Sequence, residues 1–193
     1  PDGTGEWVDQ RRVGEERLHV LHRPAKSGLA TAYVDGMGWG IEAGFPFLLQ
    51  MDADGSHRPS DLPKLLARMG GPDRPDLVIG SRWVRGGKVN GWSAKRVALS
   101  KAGNYYVRLC LGTPVRDATA GLRVHRCAFL AAHGVLERVS TTGFGFQVEM
   151  TERERSLGAV IREVPITFDE RIAGESKLDS SIFAEELVMV TKG

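Results

Sequence analysis

"FPFLLQMDADGSHRPSDLPKLLARMGGPDRPDLVIGSR", residues 45–82, is the most informative stretch about the fold, because it predicts a helix between two strands. The runs Phe45–Asp52 and Asp76–Arg82 are short and apolar, as buried strands are. Between them, Ser60–Met69 repeats apolar residues at helical spacing, and Ser60 is the expected N-cap. Strand, helix and strand in this order are the unit of a parallel sheet.

The same alternation continues on both sides of this stretch. The predicted helices are Glu6–Val13, Gly28–Gly44, Ser93–Gly112 and Phe144–Leu157, and the predicted further strands are Leu18–Arg23, Gly121–Arg126 and Val160–Phe168. Pro165 has no amide hydrogen, which favours an edge position for the last strand. The sequence therefore predicts one α/β domain over residues 1–193, with a mostly parallel central sheet and helices on both faces.

The composition is that of an ordinary globular protein of 193 residues, 41% of them hydrophobic. A net charge of +2 is too small to indicate a nucleic-acid partner. Cys110 and Cys127 lack a metal-ligand spacing and are expected to be reduced thiols. No apolar run approaches the roughly 20 residues of a membrane span, and no signal peptide is visible. These features exclude a disulfide-stapled or membrane-spanning fold for this stretch.

Asp52 and Asp54 follow the first strand of the quoted stretch, one residue apart. In extended chain they lie on the same face, where a divalent cation would relieve their repulsion. A simple turn is the other interpretation, because Asp54-Gly55 is a turn-forming pair, and both stay open. Ligands of parallel sheets bind beyond the carboxyl ends of the strands, where Ser81 and Arg82 also lie. Two carboxylates, a metal and a guanidinium suit a diphosphate.

Two segments lack any apolar period, Val84–Trp92 and Asp169–Ser181. Loops of this length in a compact domain are often lids or binding segments. The helix Ser93–Gly112 carries several basic residues, which either form a solvated face or meet an anionic ligand. These segments are candidate borders of the predicted site.

Eight stretches carry a resemblance along nearly the whole chain. In order they are PDGTG, HVLHRPAKSGLATAYVDGMGWG, MDADGSHRP, DLVIGSRWVRGG, NGWSAKRVALSKAGNYYVRLCLG, VRDATAGLRVHR, GFGFQVEM and VPITFDERIAGESKL. Together they resemble the family-2 glycosyltransferases, and within them the dolichol-phosphate or polyprenol-phosphate mannosyltransferases. A lone DAD motif is weak evidence, whereas this order of motifs is specific.

The resemblance implies a GT-A nucleotide-sugar-binding fold, which is Rossmann-like. It implies that Asp52 and Asp54 hold Mg²⁺ or Mn²⁺ against the donor diphosphate, with Ala53 also at the donor. Ser56 stands where some relatives have a glutamine ligand and is the expected third metal ligand. Arg82 is expected to contact the diphosphate.

The resemblance also assigns residues to the acceptor. Arg96 is expected to face the lipid phosphate, as is Arg171 in the stretch ERIAGESK, which ends at Lys177. Lys177 is expected on a donor phosphate in a mobile loop. The implied catalytic residues are Asp54, Arg82 and Lys177.

Further motif residues have two interpretations each. Asp117, Gln147 and Glu149 match family motifs near the active cleft, or they are caps and hydrogen-bond partners in the core. His57 follows the acidic pair and is expected to have a structural role.

The family usually begins with a strand and turn of the type VVDDGSPDGTG, whereas this chain starts at PDGTG. We therefore expect that the first strand and the residues that select the nucleotide base are missing, and that the natural protein is longer. The final segment, Ser180–Gly193, has an amphipathic pattern that suits either the core or a membrane surface.

The function implied by the resemblance is inverting, metal-dependent transfer of mannose from GDP-mannose to a polyprenyl (dolichyl) phosphate. The enzyme would work peripherally, or through a missing anchor, at the cytoplasmic face of a membrane. A phosphate nucleophile needs no protein base, which suits a chain with no obvious base constellation. Alternatives are another donor such as UDP-glucose, a sugar-nucleotide pyrophosphorylase, or a non-catalytic nucleotide-binding module.

Overall fold

A computed structural model describes residues 3–141 and 145–171. The helices are α1 (Thr4–Arg12), α2 (Leu29–Glu42), α3 (Leu62–Met69), α4 (Ala94–Leu111), α5 (Cys127–Ala132) and α6 (Phe146–Ser156). The strands are β1 (Phe47–Gln50), β2 (Leu77–Ser81), β3 (Lys88–Val89), β4 (Arg123–Arg126), β5 (Ile161–Pro165) and β6 (Thr167–Phe168). Short 3-10 turns cover Pro59–Asp61 and Leu136–Arg138.

The central sheet has the strand order β1-β4-β2-β5. β4 pairs antiparallel with β1 and with β2, and β5 pairs parallel with β2, so β1, β2 and β5 point the same way. The predicted strand direction is confirmed for these three, and the reversal of β4 was not predicted. β5, with Pro165, lies at the edge as predicted. β3 and β6 form a separate parallel pair. β3 lies inside the segment Val84–Trp92, which was predicted as loop, and β6 lies at the end of the predicted strand Val160–Phe168.

Alternating side chains of the central strands pack against helices on opposite faces of the sheet. Val78 packs with Leu65 and Met69 of α3 on one face. Leu77 packs with Val107 of α4 on the other face. The part of that face nearest to β1 is covered by α2 and α6. Burial of each such side chain contributes roughly 1.5–3 kcal/mol. The predicted layers, with helices on both faces, are confirmed.

The predicted strand Leu18–Arg23 is wrong. This segment is not hydrogen-bonded to any strand that the structure describes, and it lies along the helices through side chains. His19 lies against Trp39 of α2, with ring centroids 4.9 Å apart, and Arg23 pairs with Asp35 at 2.8 Å. A strand exists only through a partner strand, which a local apolar pattern does not supply.

Of three predicted helix caps, one is wrong and two are confirmed. Ser60 is exposed, and α3 begins after the 3-10 turn with Asp61 at its N-cap. Asp61 instead accepts a hydrogen bond of 2.9 Å from the Thr167 backbone, which ties this turn to β6. Ser93 caps α4 by accepting from a backbone N–H, and Gly112 ends it in a left-handed conformation with φ 59°.

Candidate active site

Asp52 lies just beyond the carboxyl end of β1, held by two aromatic side chains. The Tyr33 hydroxyl of α2 donates a hydrogen bond of 3.0 Å to Asp52 Oδ1, and His57 Nε2 lies 3.5 Å from Oδ2. The His57 ring lowers the pKa of Asp52 below its ordinary value, although burial acts in the opposite direction. Asp52 is therefore ionised at neutral pH.

Asp54 is oriented by the bend that follows it. Its Oδ1 accepts hydrogen bonds from the Ser56 backbone N–H at 3.0 Å and from the Ser56 hydroxyl. Its Oδ2 lies 3.3 Å from Nη2 of Arg171. The bend fixes the direction of the carboxylate, which agrees with the turn interpretation, and the binding interpretation stays a prediction.

Gly121 lies directly against Asp52. A Cβ at this position would stand 2.9 Å from Asp52 Oδ2, closer than side-chain carbons approach other atoms. Gln50 Nε2 holds the glycine in place with a hydrogen bond of 3.1 Å to its carbonyl and donates to Gln147 Oε1 at 2.9 Å. Of the two interpretations of Gln147, the structure gives it a buried hydrogen-bonding role.

Arg82 follows β2, as predicted, and forms a buried ion pair with Asp117. Its Nε and Nη2 donate to the two carboxylate oxygens at 2.8 Å and 2.6 Å, and its backbone N–H donates to Oδ2 at 2.8 Å. Nη2 also donates to the Thr119 hydroxyl at 2.9 Å. Arg82 is 8% exposed and Asp117 is fully buried, so this is a desolvated pair with charge-assisted hydrogen bonds.

Three aromatic rings surround the Arg82 guanidinium. The ring centroids of Trp83, Trp92 and Phe168 lie 5.4–5.5 Å from its central carbon. The aromatic faces favour a cation and exclude water from it. The guanidinium is therefore committed to Asp117 within an aromatic enclosure, and it does not pair with Asp52 or Asp54 in the part of the chain described.

Asp169, Glu170 and Arg171, which follow β6, contact residues from several parts of the site. Asp169 accepts a bidentate pair from Arg58 and a hydrogen bond of 2.7 Å from the Asn90 amide. Glu170 Oε1 accepts from Arg96 Nη1 at 2.6 Å. Arg171 reaches Asp54. This short segment thus links the predicted metal site with the first turn of α4.

Arg96 lies on α4 beside the aromatic enclosure. Its guanidinium carbon stands 4.1 Å from the ring centroid of Trp92, and its side chain is about a quarter exposed, at 24%. Paired with Glu170 and stacked on Trp92, it is held at the border of the site while remaining accessible to solvent.

The other predicted residues have different outcomes. Ala53 is exposed between the two aspartates, and Ser56 is fully buried with its hydroxyl on Asp54. Lys177 and the segment 180–193 lie outside the described residues, as does the predicted loop beyond Arg171.

Glu149 stabilises the chain that precedes α6. It accepts hydrogen bonds from the backbone N–H groups and hydroxyls of Ser140 and Thr141 and pairs with Arg153 at 2.6 Å. Burial raises the pKa of the carboxyl, but these donors outweigh that effect and lower it to about 2. Of the two interpretations of Glu149, the structure supports the cap, because its carboxylate accepts hydrogen bonds from the backbone N–H groups of a neighbouring segment.

The donor set beyond β1 suits a hard divalent cation. Asp52 and Asp54 supply carboxylate oxygens, with side chains that are 42% and 25% exposed. Among the described residues no group of three or more His, Cys, Asp or Glu could hold a metal by itself. Mg²⁺ is usually bound by one or two carboxylates together with water and substrate phosphates, which is the arrangement that two aspartates at an open edge can provide.

Sequence patterns did not reveal Tyr33, Gly121 or Glu170 as site residues. Each contacts a site residue that is distant in the chain, Asp52 for the first two and Arg96 for Glu170. The only local signal was that all three fall inside motifs of the resemblance. Over the described part of the chain, no helix combines the length and the apolar character that crossing a bilayer requires.

Comparison with solved structures supports the fold. Glucosyl-3-phosphoglycerate synthase from Mycobacterium tuberculosis, in complex with phosphoglyceric acid, superposes with a TM-score of 0.62 at 15% identity over 95% of this chain and 63% of that one. Its complex with Mn²⁺, UDP-glucose and glycerol 3-phosphate gives a TM-score of 0.57 at 16% identity over 94% of this chain and 58% of that one. At such identities the likeness concerns the fold, which is the predicted GT-A fold.

Comparison with protein sequences supports the family. The model of glycosyl transferase family 2 matches residues 1–134. An undecaprenyl-phosphate mannosyltransferase of Micrococcus luteus is 48% identical over 192 residues, which is 100% of this chain and 77% of the relative. A polyprenol monophosphomannose synthase of Mycolicibacterium smegmatis is 42% identical over 193 residues, which is 100% of this chain and 72% of the relative. This chain therefore belongs to glycosyl transferase family 2 and is a glycosyltransferase.

Proposed function

We propose that this chain transfers mannose from GDP-mannose to a polyprenyl (dolichyl) phosphate and forms a β-linked mannosyl phosphodiester. The observation that carries the proposal is the convergence of Asp52, Asp54 and Arg171 beyond β1, joined through Glu170 to Arg96. The names of the two relatives, 48% and 42% identical, support both the sugar and the acceptor.

On the donor side, Asp52 and Asp54 would hold Mg²⁺ or Mn²⁺ together with the diphosphate. The fold relative with Mn²⁺ and UDP-glucose supports divalent-metal use by this architecture in general. The metal, when bound, would neutralise charge that develops on the leaving diphosphate. Tyr33 and Ser56 orient the two carboxylates, and Ala53 lies exposed between them, where a donor would contact its backbone.

Arg82 and Lys177 are proposed as further contacts to the donor phosphates. Nε and Nη2 of Arg82 already donate to Asp117, so only its remaining guanidinium nitrogen would be left to contact a phosphate beyond β2. Ser56 is proposed mainly as the residue that holds Asp54, since its hydroxyl is committed to that carboxylate.

On the acceptor side, the nucleophile is a phosphate oxygen that is already anionic at neutral pH. No protein base has to remove a proton, and attack in line with the departing diphosphate inverts the anomeric carbon. Arg96 and Arg171 supply two cations beside the site and would hold the acceptor phosphate. Because the acceptor is a membrane lipid, we place the reaction at the cytoplasmic face of a membrane.

The test is a transfer assay with the full chain, a polyprenyl phosphate, and either radiolabelled GDP-mannose or radiolabelled UDP-glucose. The expected result is label in the lipid extract only from GDP-mannose, and release of that label by mild acid. Asp54→Asn should abolish transfer, and Glu152→Gln, which changes a surface carboxylate on α6, should leave it unchanged. Label from UDP-glucose alone, or on a sugar hydroxyl instead of a phosphate, would overturn the proposal.

A further inference from the structure

Arg123 is a fully buried residue of β4 whose guanidinium donates to neutral groups. Its Nε donates to the Ala120 carbonyl at 2.8 Å, Nη2 donates to the Ala118 carbonyl, and Nη1 donates to the Thr151 hydroxyl of α6 at 2.7 Å. Burial lowers the pKa of Arg123 to about 10, so the guanidinium remains charged at neutral pH. Burying a charge is costly, which indicates a role for Arg123 beyond packing.

Two of its three acceptors belong to the turn 117–121, which leads into β4. The side chains of Ala118 and Ala120 pack in the hydrophobic core, and their carbonyls face the guanidinium. Buried carbonyls outside helices and strands need another donor, and Arg123 supplies one to each. The planar fork of a guanidinium fixes both carbonyls at the same time, whereas a lysine ammonium is a point charge on a flexible stem.

The remaining residues of this turn contact the candidate active site. Asp117 and Thr119 accept hydrogen bonds from Arg82 Nη2 at 2.6 Å and 2.9 Å. Gly121 lies so close to Asp52 that a Cβ would stand 2.9 Å from its Oδ2. Every second residue of the turn thus faces the site, while the two residues between them are fixed to the buried guanidinium.

We propose that Arg123 is a positioning residue, which sets the turn 117–121 and, through it, the places of Asp52 and Arg82. The inference deepens the proposed function and rests on it, since these two residues are proposed to hold the metal and a donor phosphate. Thr151 anchors the guanidinium on α6, so the geometry of the site also depends on how α6 packs against β4.

The first test is the variant Arg123→Lys in the full chain, which keeps a positive charge and removes the fork. The four tryptophans of the chain are reporters in two-dimensional NMR spectra of the indole N–H groups. The rings of Trp83 and Trp92 lie 5.5 Å and 5.4 Å from the guanidinium carbon that the turn holds. We expect both of their indole signals to move, and those of Trp7 and Trp39 to stay as internal references.

The second readout is the affinity for Mn²⁺ without nucleotide, measured by electron paramagnetic resonance. Arg123→Lys should lower it about tenfold, because Gly121 no longer confines Asp52. The double variant with Gly121→Ala should lose clearly less than about a hundredfold, since both changes act on the same carboxylate. A loss equal to the product of the two single effects would contradict this path.

Thr151→Val is a milder variant, which keeps the test decisive if Arg123→Lys does not fold. It removes only the anchor of the guanidinium on α6. We expect the same indole signals to move by a smaller amount, and the Mn²⁺ affinity to fall about two- to threefold.

His125→Gln is the matched control. His125 is two residues after Arg123, on the same face of β4 and equally buried, and its Nδ1 lies 2.9 Å from Oε1 of Glu154 on α6. It does not contact the turn 117–121 through any hydrogen bond within the described ranges. The variant should lower the midpoint of urea unfolding and leave the indole signals and the Mn²⁺ affinity unchanged.

The outcomes separate the positioning role from the proposed function. Unchanged indole signals and Mn²⁺ affinity in the folded variants of Arg123 and Thr151 would overturn the positioning role, as would equal changes in His125→Gln. If the signals of Trp83 and Trp92 move as expected, but the unmodified chain neither binds Mn²⁺ nor transfers mannose, then the proposed function fails and the positioning role stands.

Discussion

Nη2 of Arg171 lies 3.3 Å from Oδ2 of Asp54, so a side-chain cation stands beside the carboxylate that a metal would have to approach. Both side chains are partly exposed, and ion pairs of this kind contribute about 0.2–1 kcal/mol. If Asp54 holds a metal ion, as we propose, Arg171 would compete with that ion for the carboxylate when no nucleotide is present.

Arg171→Ala is expected to tighten binding of Mn²⁺ without nucleotide about two- to fivefold, because the competing ion pair is lost. The measurement is a Mn²⁺ titration that follows the free ion by electron paramagnetic resonance. Arg155→Ala, which removes a surface partner of Glu152, is the control and should not change the affinity. Weaker Mn²⁺ binding in Arg171→Ala would mean that the arginine supports the metal site and does not compete with it.

Asp52→Asn and Asp54→Asn should each lower mannosyl transfer about a hundredfold or more, because an amide cannot replace a charged oxygen ligand. Excess EDTA should stop the unmodified chain, and added Mg²⁺ or Mn²⁺ should restore it. The assay is initial rate at saturating donor, with the Glu152→Gln variant as control. A full rate in EDTA would remove the metal from the proposal.

Gly121→Ala tests the position of Asp52 without touching its charge. The added methyl group would stand 2.9 Å from Asp52 Oδ2, so the carboxylate has to move. We expect transfer and Mn²⁺ affinity to fall about tenfold, while the midpoint of urea unfolding changes little.

Gly158→Ala is an informative comparison, since open space surrounds that glycine but its φ of 87° strains any side chain. It should lower stability and leave the metal affinity intact. Unchanged Mn²⁺ affinity in Gly121→Ala would show that Asp52 is not a ligand.

Asp117→Ala leaves the buried Arg82 guanidinium without its partner. Breaking a buried ion pair in this way typically destabilises a protein by about 3–5 kcal/mol, which urea unfolding would measure. Glu152→Ala, the loss of a surface pair, should change the free energy of unfolding by less than about 1 kcal/mol. If Asp117→Ala is as stable as the unmodified chain, then the guanidinium finds solvent or another anion and the aromatic enclosure does not isolate it.

Glu149 predicts a pH dependence of stability. Its pKa in the folded chain is lowered from an ordinary value of 4.5 to about 2, so its contribution is complete above pH 4.5 and is lost as the pH falls towards 2. Glu149→Gln should cost about 2–3 kcal/mol of unfolding free energy at pH 6 and much less near pH 2. Urea unfolding of both proteins across this range measures the difference. A constant difference at all pH values would contradict the charged role of Glu149.

Local patterns predicted much of this molecule. The apolar runs at β1 and β2, and the caps Ser93 and Gly112 of α4, depend on neighbours within one or two turns of chain. Helical spacing, strand alternation and capping are short-range effects, so a single sequence records them. The acidic pair Asp52 and Asp54 was visible for the same reason, as two carboxylates directly after a strand.

Long-range contacts were beyond such patterns. Leu18–Arg23 has the apolar pattern of a strand, yet no strand within the described ranges pairs with it. The local sequence of β4 did not indicate that it runs antiparallel to β1 and β2, because strand direction depends on the path of the chain between elements. Periodicity states which side chains face a core but not which strand supplies the hydrogen bonds.

The α/β alternation and the position of Asp52 and Asp54 at a strand end follow from local sequence patterns alone. The contacts of the site residues depend on how the chain folds in three dimensions: Gly121 lies against Asp52, Arg171 lies beside Asp54, and Asp117 pairs with Arg82 from 35 residues away. The physical reason is that a carboxylate takes whichever cation or donor the fold brings within about 3 Å, and that distance is fixed by the packing of whole elements and not by the residues next to it in the chain.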